Sequence, residues 1–226
     1  NTNVFRGNTF LDSAATLTLR HGHRALVEDN FILGMGKARS GGIRVMGEDH
    51  VIINNTIAYV DDRMYGAISF AAGIGDTAAN GYQQVKKAVI AHNTIVNVQG
   101  AAISMDWGIG QRNRTLLPEG ITVANNLIHS THAPLFEGEE GPGYRWINNL
   151  AFGAPLGLEP RDGLMQIDPQ LVEGDDGLWR PGPESPAVGQ AVAVSSATSG
   201  LVNIGADPEL RPLFGEDVGP NWTKAD

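Results

Sequence analysis

Hydrophobic residues along this chain come in short bursts that repeat. "NVFRGNTF" (Asn3–Phe10), "RALVEDNFI" (Arg24–Ile32), "HVIINNTI" (His50–Ile57), "AVIAHNTI" (Ala88–Ile95), "GITVANNLI" (Gly120–Ile128) and "YRWINNLA" (Tyr144–Ala151) share one form. Each is a short apolar strand that runs into an Asn and then a second short apolar pair. Between these segments another kind of strand recurs and closes on Gly: "TLTLRHG", "GGIRVMG", "AISFAAG" and "AAISMDWG". In the first, Leu17 and Leu19 alternate with Thr16 and Thr18, the period-two pattern of a strand with one face buried. With Asn8, Asn30, Asn55, Asn93, Asn126 and Asn149 as markers, the steps are 22, 25, 38, 33 and 23 residues. Short strands at such a period, without helical periodicity, predict an all-β parallel β-helix with coils of about 22–25 residues.

A coil of this kind cannot bury its apolar residues alone. It stacks on its neighbours, and the inward side chains form one continuous core. The recurring Asn has a structural reason: it tolerates the left-handed backbone of a sharp turn, and stacked amides bond along the axis. The two long steps predict two insertions, "DTAANGYQQVKK" (Asp76–Lys87) and "DWGIGQRNRTLLPEG" (Asp106–Gly120). Such loops project over one face and make a binding cleft. After about Leu150 the pattern decays into Pro, Gly and acid, so irregular final coils are expected there, with a few strands such as Leu178–Arg180. No second core is visible. The expectation is one domain over 1–226, regular to about 150 and irregular and acidic over about 151–226. The first Asn-marked strand begins at residue 3, with no room for the cap that covers the open edge of a β-helix. Upstream residues or a partner chain are expected to cover that coil.

Composition narrows the class. Hydrophobic content of 42% with 18% charge over 226 residues fits a soluble globular chain. No apolar run approaches a membrane span. The first residues are neither a signal nor a transit peptide. With no cysteine, disulfides, thiolate metal sites and a cysteine nucleophile are excluded. The net charge of −9 is uneven: residues 1–136 carry 11 Lys and Arg against 10 Asp and Glu, and residues 137–226 carry 5 against 15. Within 20–44 the balance is 5 basic to 2 acidic, and Arg20, His21, His23 and Arg24 fall within five positions. A local positive patch on an acidic body suits a specific anionic ligand rather than nucleic acid, which needs a broad basic face.

At "TLTLRHGHR…VEDNFILG" and "GGIRVMGEDHVIINNTI" the chain resembles the alginate lyase and chondroitin B lyase family, polysaccharide lyase family six. "NGYQQVKKAVIAHNTIVN" and "NRTLLPEGITVANNLI" look more like its alginate lyase branch. The resemblance runs in register from Asn1 to about residue 130, and more loosely through "SPAVG" and "EDVGPNW". It implies a right-handed parallel β-helix that cleaves an acidic polysaccharide by β-elimination. Alginate is the leading substrate, and chondroitin or dermatan sulfate is the other class. It implies Arg20 as the catalytic arginine and Arg44, one coil on, as a grip for a substrate carboxylate. It also implies calcium and a lysine base, from coils ahead of the Arg20-His21-Gly22 coil. By spacing, the lysine falls just before Asn1, and neither it nor the acidic calcium ligands can be placed on this sequence, as if an N-terminal part were lacking. A secreted or periplasmic bacterial enzyme is the implied setting.

The chemistry agrees with the residues. Uronate cleavage removes the proton at C5, next to the carboxylate, and expels the oxygen at C4. Cations must neutralise the carboxylate and stabilise the enolate-like dianion. Arginine does this well because its planar fork holds a carboxylate in bidentate fashion. Arg20 and Arg44 are 24 residues apart, so they are expected about one strand spacing apart along the axis, roughly 5 Å. The plain alternative for Arg20 is a surface salt bridge to Asp12 or Glu28. His21 and His23, two apart on a strand, share a face and could orient substrate or carry protons. No third ligand accompanies them, so no metal site is proposed. Lys37 and Arg39, in the Gly-rich loop "GMGKARSGG", are candidates for distal sugars, as are Tyr82, Lys86 and Lys87 in the first insertion and Arg112 and Arg114 in the second. Solvated loop positions are the alternative for each.

Three other functions fit parts of this pattern. A β-helix glycoside hydrolase needs paired carboxylates. Asp61 and Asp62 are adjacent, would face opposite ways on a strand, and read rather as a turn with Arg63. A C5-epimerase would share the proton abstraction, but no acidic-His constellation supports it. A non-catalytic β-helix that binds an anionic glycan, or one part of a split lyase, fits the missing lysine and calcium ligands.

Overall fold

A computed structural model describes residues 2–62, 65–132 and 134–212. The "EDVGPNW" segment and Arg63 lie outside the described residues. The chain winds as stacked coils of three short strands. The first coil holds β1 (Val4–Arg6), β2 (Thr9–Leu11) and β3 (Leu17–Leu19). The second holds β4 (Leu26–Glu28), β5 (Phe31–Leu33) and β6 (Ile43–Val45), and the third β7 (Val51–Ile53), β8 (Thr56–Ala58) and β9 (Ile68–Ala71). The fourth holds β10 (Val89–Ala91), β11 (Thr94–Val96) and β12 (Ile103–Trp107), and the fifth β13 (Thr122–Ala124), β14 (Leu127–His129) and β15 (Phe136–Glu137). The sixth has β16 (Arg145–Ile147) and β17 (Asn149–Phe152), and β18 (Leu164–Met165) adds a last rung. Like strands of successive coils pair in parallel, giving three sheets ordered β1-β4-β7-β10-β13-β16, β2-β5-β8-β11-β14-β17-β18 and β3-β6-β9-β12-β15. This is the right-handed parallel β-helix that the repeat and the resemblance together imply.

The core follows from register. In the first sheet Phe5, Val27, Ile52, Ile90, Val123 and Trp146 stand one above another. In the second sheet Phe10, Ile32, Ile57, Ile95, Ile128 and Ala151 do the same. The third adds the file Leu17, Ile43, Ile68, Ile103 and Phe136. These files meet in one apolar cluster. Each fully buried Ile contributes on the order of 1.5–3 kcal/mol, so the stack itself is the main source of stability.

The corner between the first and second sheets carries the Asn ladder. The backbone N–H and Nδ2 of Asn8 both donate to Asn30 Oδ1, at 3.0 and 2.9 Å. Asn30 does the same to Asn55, Asn55 to Asn93, Asn93 to Asn126 and Asn126 to Asn149. The expected left-handed turn is displaced by one residue. The positive φ belongs to Gly7, Asp29, Asn54, His92, Asn125 and Asn148, each just before a ladder Asn. The ladder residue is thereby free to turn its amide inward, where the preceding coil's backbone needs an acceptor.

The tail departs from the expected irregular coils. Past β18 it makes an antiparallel hairpin of β19 (Leu171–Glu173) and β20 (Trp179–Pro181) and then runs back along the outside of the second sheet. The strand expected at Leu178–Arg180 is thus β20, one residue later. Several outward residues of the second sheet are apolar, and this strap covers them. Leu178 packs with Phe31, Leu33 and Ala58, and Ala187 and Ile204 pack with Leu127 and Leu150. "SPAVG" lies in this strap, pinned by Ser185 Oγ donating to Pro169 O at 2.6 Å. Among the described residues no helix is long and apolar enough to cross a membrane.

Candidate functional site

The outer face of the third sheet is left uncovered by the strap. Alternation along its strands sends Thr18, Arg44, Ser69, Ser104 and Glu137 outward, one per coil. The two insertions leave at the ends of β9 and β12 and close over this face. They are tied together where Gly73 and Leu116 bridge.

Arg44 lies over two rings. Its guanidinium centre is 4.9 Å from the Tyr65 centroid and 5.5 Å from that of Trp107. Its Nη2 reaches Thr18 Oγ1 at 3.5 Å, while its Nε is buried and has no hydrogen-bond partner among the described residues. On the next coil Ser69 Oγ is buried and equally unpartnered. Arg20 is exposed, with its guanidinium 5.0 Å from the Tyr82 centroid, and its Nη2 donates to Asn80 O at 3.2 Å. Arg114 joins the two groups: it lies 4.3 Å from the Trp107 centroid and 4.8 Å from that of Tyr82. Tyr65 and Trp107 touch in turn, centroids 4.7 Å apart. Three guanidinium groups and three rings thus form one connected array. No described carboxylate forms an ion pair with Arg20, Arg44 or Arg114.

Two expectations need correction. First, Arg20 and Arg44 are not stacked one strand apart. Register pairs Arg44 with Thr18, and Arg20 lies just past the end of β3. The two meet through Tyr82, Arg114 and Trp107 instead. Second, His21 and His23 do not share a strand face, because β3 ends at Leu19 and His21 has a φ of 64° at the corner. His21 is exposed with Nδ1 3.2 Å from Ala79 O, beside the first insertion. His23 Nδ1 accepts the Glu48 N–H at 3.0 Å, a structural use. Arg112 is exposed in the second insertion at a φ of 48°, outside the array that Arg114 enters.

Lys37 and Arg39 are exposed on the turn between β5 and β6, on the Tyr65 side of the site. Arg39, Ala14, Ala15, Ala38, Asp61, Asp62 and Tyr65 line a cleft of about 590 Å³ there. Asp62 Oδ1 accepts the Tyr65 N–H at 3.1 Å, so that carboxylate braces the ring. Lys86 is held in the coil, its N–H donating to Gly47 O and its Nζ 4.0 Å from Glu119, and Lys87 is exposed. Behind the corner, His50 Nδ1 accepts the Ala25 N–H and Nε2 donates to Met46 O. Burial holds its pKa below the ordinary imidazole range. Gly47 has a φ of 94°, and a Cβ there would lie 2.5 Å from Gly22 O, which is why the coils close on glycine at this corner.

Trp107 and Tyr65 were not singled out from the sequence. A signal existed for Trp107, an aromatic two residues past the last buried position of "AAISMDWG" and directly before a Gly. For the family's calcium, the chemistry of the donors decides. Calcium takes six or more oxygen ligands, usually with several carboxylates. Among the described residues no group of three His, Asp or Glu side chains could share a cation. The residues present do not fit the metal.

The chondroitinase B family model matches residues 1–189. Among solved structures, the PL6 family alginate lyase AlyGC superposes with a TM-score of 0.76 at 27% identity, covering 98% of this chain and 28% of that one. The alginate lyase AlyF-OU02, solved with G6, gives 0.65 at 23% over 91% of this chain and 48% of that one. A mannuronic acid specific family 6 lyase from human gut microbiota gives 0.55 at 21% over 74% and 40%. The last two likenesses show the fold. This chain spans less than half the length of each of these structures. No curated protein matches it.

Proposed function

The chain belongs to the chondroitinase B family, and from that premise we propose that its arginine array is the carboxylate-gripping side of a lyase site for a uronate polymer, alginate foremost. One observation carries the reading: Arg20, Arg44 and Arg114 crowd one outer face with no described ion pair. Cations held together without anions of their own suit a polyanion. Arg44 neutralises the carboxylate beside C5 and so makes that proton removable. Arg20, exposed at the edge of the array, stands by the oxygen leaving C4 and is the catalytic arginine. In the elimination a base takes the C5 proton, its electron pair forms the C4–C5 double bond, and the C4–O bond breaks as the departing oxygen gains a proton. His21, Tyr82 and Arg39 line the approach to the array. Lys37 and Arg112 are placed for distal sugars only.

The base is not assigned to a residue of this chain. Residues 1–19 contain no Lys and no Glu, and the described residues hold no calcium cluster. The same observation favours a second reading, in which this chain binds the glycan without cleaving it. A polymeric substrate places the protein outside the cytoplasm, secreted or periplasmic.

The test is to incubate the chain with alginate, and separately with dermatan sulfate, while following ultraviolet absorbance of the unsaturated uronate and, in parallel, binding. Absorbance that grows and is lost in Arg20→Ala supports the lyase. Binding without product supports the second reading. New reducing ends without absorbance would mean hydrolysis, and neither binding nor product would sink the proposal.

A further inference from the structure

Arg114 is an unusual residue to find in the middle of this array. It is 3% exposed, yet it comes from an insertion rather than from the repeat. A buried charge ordinarily has a counter-ion. Arg114 has none among the described ion pairs. Its Nε donates to Gln111 O at 3.2 Å, its Nη2 to Gln111 Oε1 at 3.2 Å and its Nη1 to Trp107 O at 3.5 Å. Its guanidinium also lies against the two rings of Trp107 and Tyr82.

The chain makes room for it. Gly108, at a φ of 79°, leaves open the space where a Cβ would lie 2.0 Å from Arg114 Cζ. Only a flat group fits there while lying against both rings, and guanidinium is the flat cation. Each of those rings also bears a site arginine: Tyr82 lies under Arg20 and Trp107 under Arg44. Neither Arg20 nor Arg44 has a described carboxylate to fix its side chain, so beside one hydrogen bond each, to Asn80 O and to Thr18 Oγ1, the rings hold them.

We propose that Arg114 is a positioning residue: it locks Tyr82 and Trp107 in place and thereby sets Arg20 and Arg44 at a fixed separation for one uronate. It touches no substrate itself. This inference rests on the uronate reading for its purpose, but not for its geometry.

The experiment is nuclear magnetic resonance of the arginine side chains in the whole chain, with Arg114→Met and Arg114→Lys beside the unaltered protein. Protons of Arg20 and Arg44 over aromatic faces carry ring-current shifts. Both variants are expected to move those shifts toward free-arginine values while the amides of the Asn ladder stay in place. Binding of alginate oligosaccharides should weaken roughly 10- to 100-fold in both. Lysine keeps the charge and tests whether charge alone suffices. Shifts retained in Arg114→Lys, or unaltered binding in it, would overturn the positioning role. If Arg114→Met fails to fold, Arg114→Lys decides by the same shifts. Shifts that collapse in a protein with no affinity for uronates would leave the positioning role standing and remove the proposed function instead.

Discussion

Two rows of polar side chains run up this β-helix, and they are built on opposite terms. From Asn30 to Asn126 the Asn ladder is buried and each rung is saturated: its amide accepts from the coil before it and donates to the coil after it and to the backbone. The arginine array on the outer face of the third sheet is assembled from a strand, a corner and an insertion, and is left incomplete. It has three cations, no described carboxylate partner, and two buried polar atoms, Arg44 Nε and Ser69 Oγ, without a bond. Polar groups that complete one another hold a fold together. Polar groups that do not complete one another are kept for something else, since leaving them so costs stability.

The largest effect should come from breaking the complete row. Asn93 sits in its middle, accepting from Asn55 N and Nδ2 and donating to Asn126 Oδ1, Ile52 O and Ala91 O. Asn93→Ala strands several buried groups at once, at about 1–3 kcal/mol for each group left unpaired, so a loss of about 3–5 kcal/mol is expected. Urea unfolding measures it. A loss below about 1 kcal/mol would mean that water or neighbouring amides fill the gap and that the row is not what binds the coils.

Breaking the incomplete row should do the reverse. Arg20→Ala removes an exposed side chain with one backbone hydrogen bond, so unfolding should hardly change, while turnover or uronate binding falls about 100-fold or more. Equal losses of stability and function would erase the distinction between the rows. Arg44→Lys is a milder cut. Lysine keeps the charge but neither the planar fork nor the fit over Tyr65 and Trp107, so about a tenfold loss is expected, read as binding against ionic strength. Affinity equal to that of the unaltered protein would show that charge without shape suffices.

The same contrast explains what could be read from sequence. The ladder was legible because coil structure repeats it: Asn-Asn or His-Asn before Thr-Ile or Leu-Ile recurs at Asn54, His92 and Asn125, and a row of amides must follow. Arg20 and Arg44 were legible as chemistry, through the motif around Arg20-His21-Gly22. Their geometry was not. Sequence spacing converts to axial distance only if coils are equal in length. Here β1 to β4 advances 22 residues but β3 to β6 advances 26, so Arg20 slips past Arg44. Arg114 and the rings were hidden for another reason. They meet from an insertion, a strand end and a corner, and no local period relates such positions. The strap was hidden because it borrows its pattern from the sheet it covers: Phe31, Leu33 and Leu127 face outward and read as ordinary core.

The smallest expected effect tests whether the complete row extends to the strap. His92 precedes the ladder's Asn93 at a φ of 54° and is buried. Its Nδ1 donates to Asn203 O of the strap at 3.0 Å, and its Nε2 accepts from Asn125 Nδ2 at 3.1 Å. Asn125 cannot turn its amide round, because its Oδ1 already accepts from Asn148 Nδ2 and Val192 N while its Nδ2 donates to Val192 O. Both imidazole nitrogens are therefore satisfied only in the neutral form. Burial lowers the pKa of His92 below 6.5, against the opposing pull of the Asn203 carbonyl. The sign follows: the unfolded chain binds a proton near 6.5 and the folded one resists it. Stability from this contact is thus fully present above about pH 6.5 and is lost as the pH falls through the folded value. Acid should loosen the strap first, seen as faster amide exchange across residues 187–206 while the coil amides stay protected, and His92→Gln should flatten that dependence. His50 has its own lowered pKa behind the Arg20 corner, so exchange read residue by residue is needed to tell the two apart. A pH dependence that survives in His92→Gln and sits at Ala25 and Met46 would assign the acid sensitivity to the corner beside the arginine array and not to the strap.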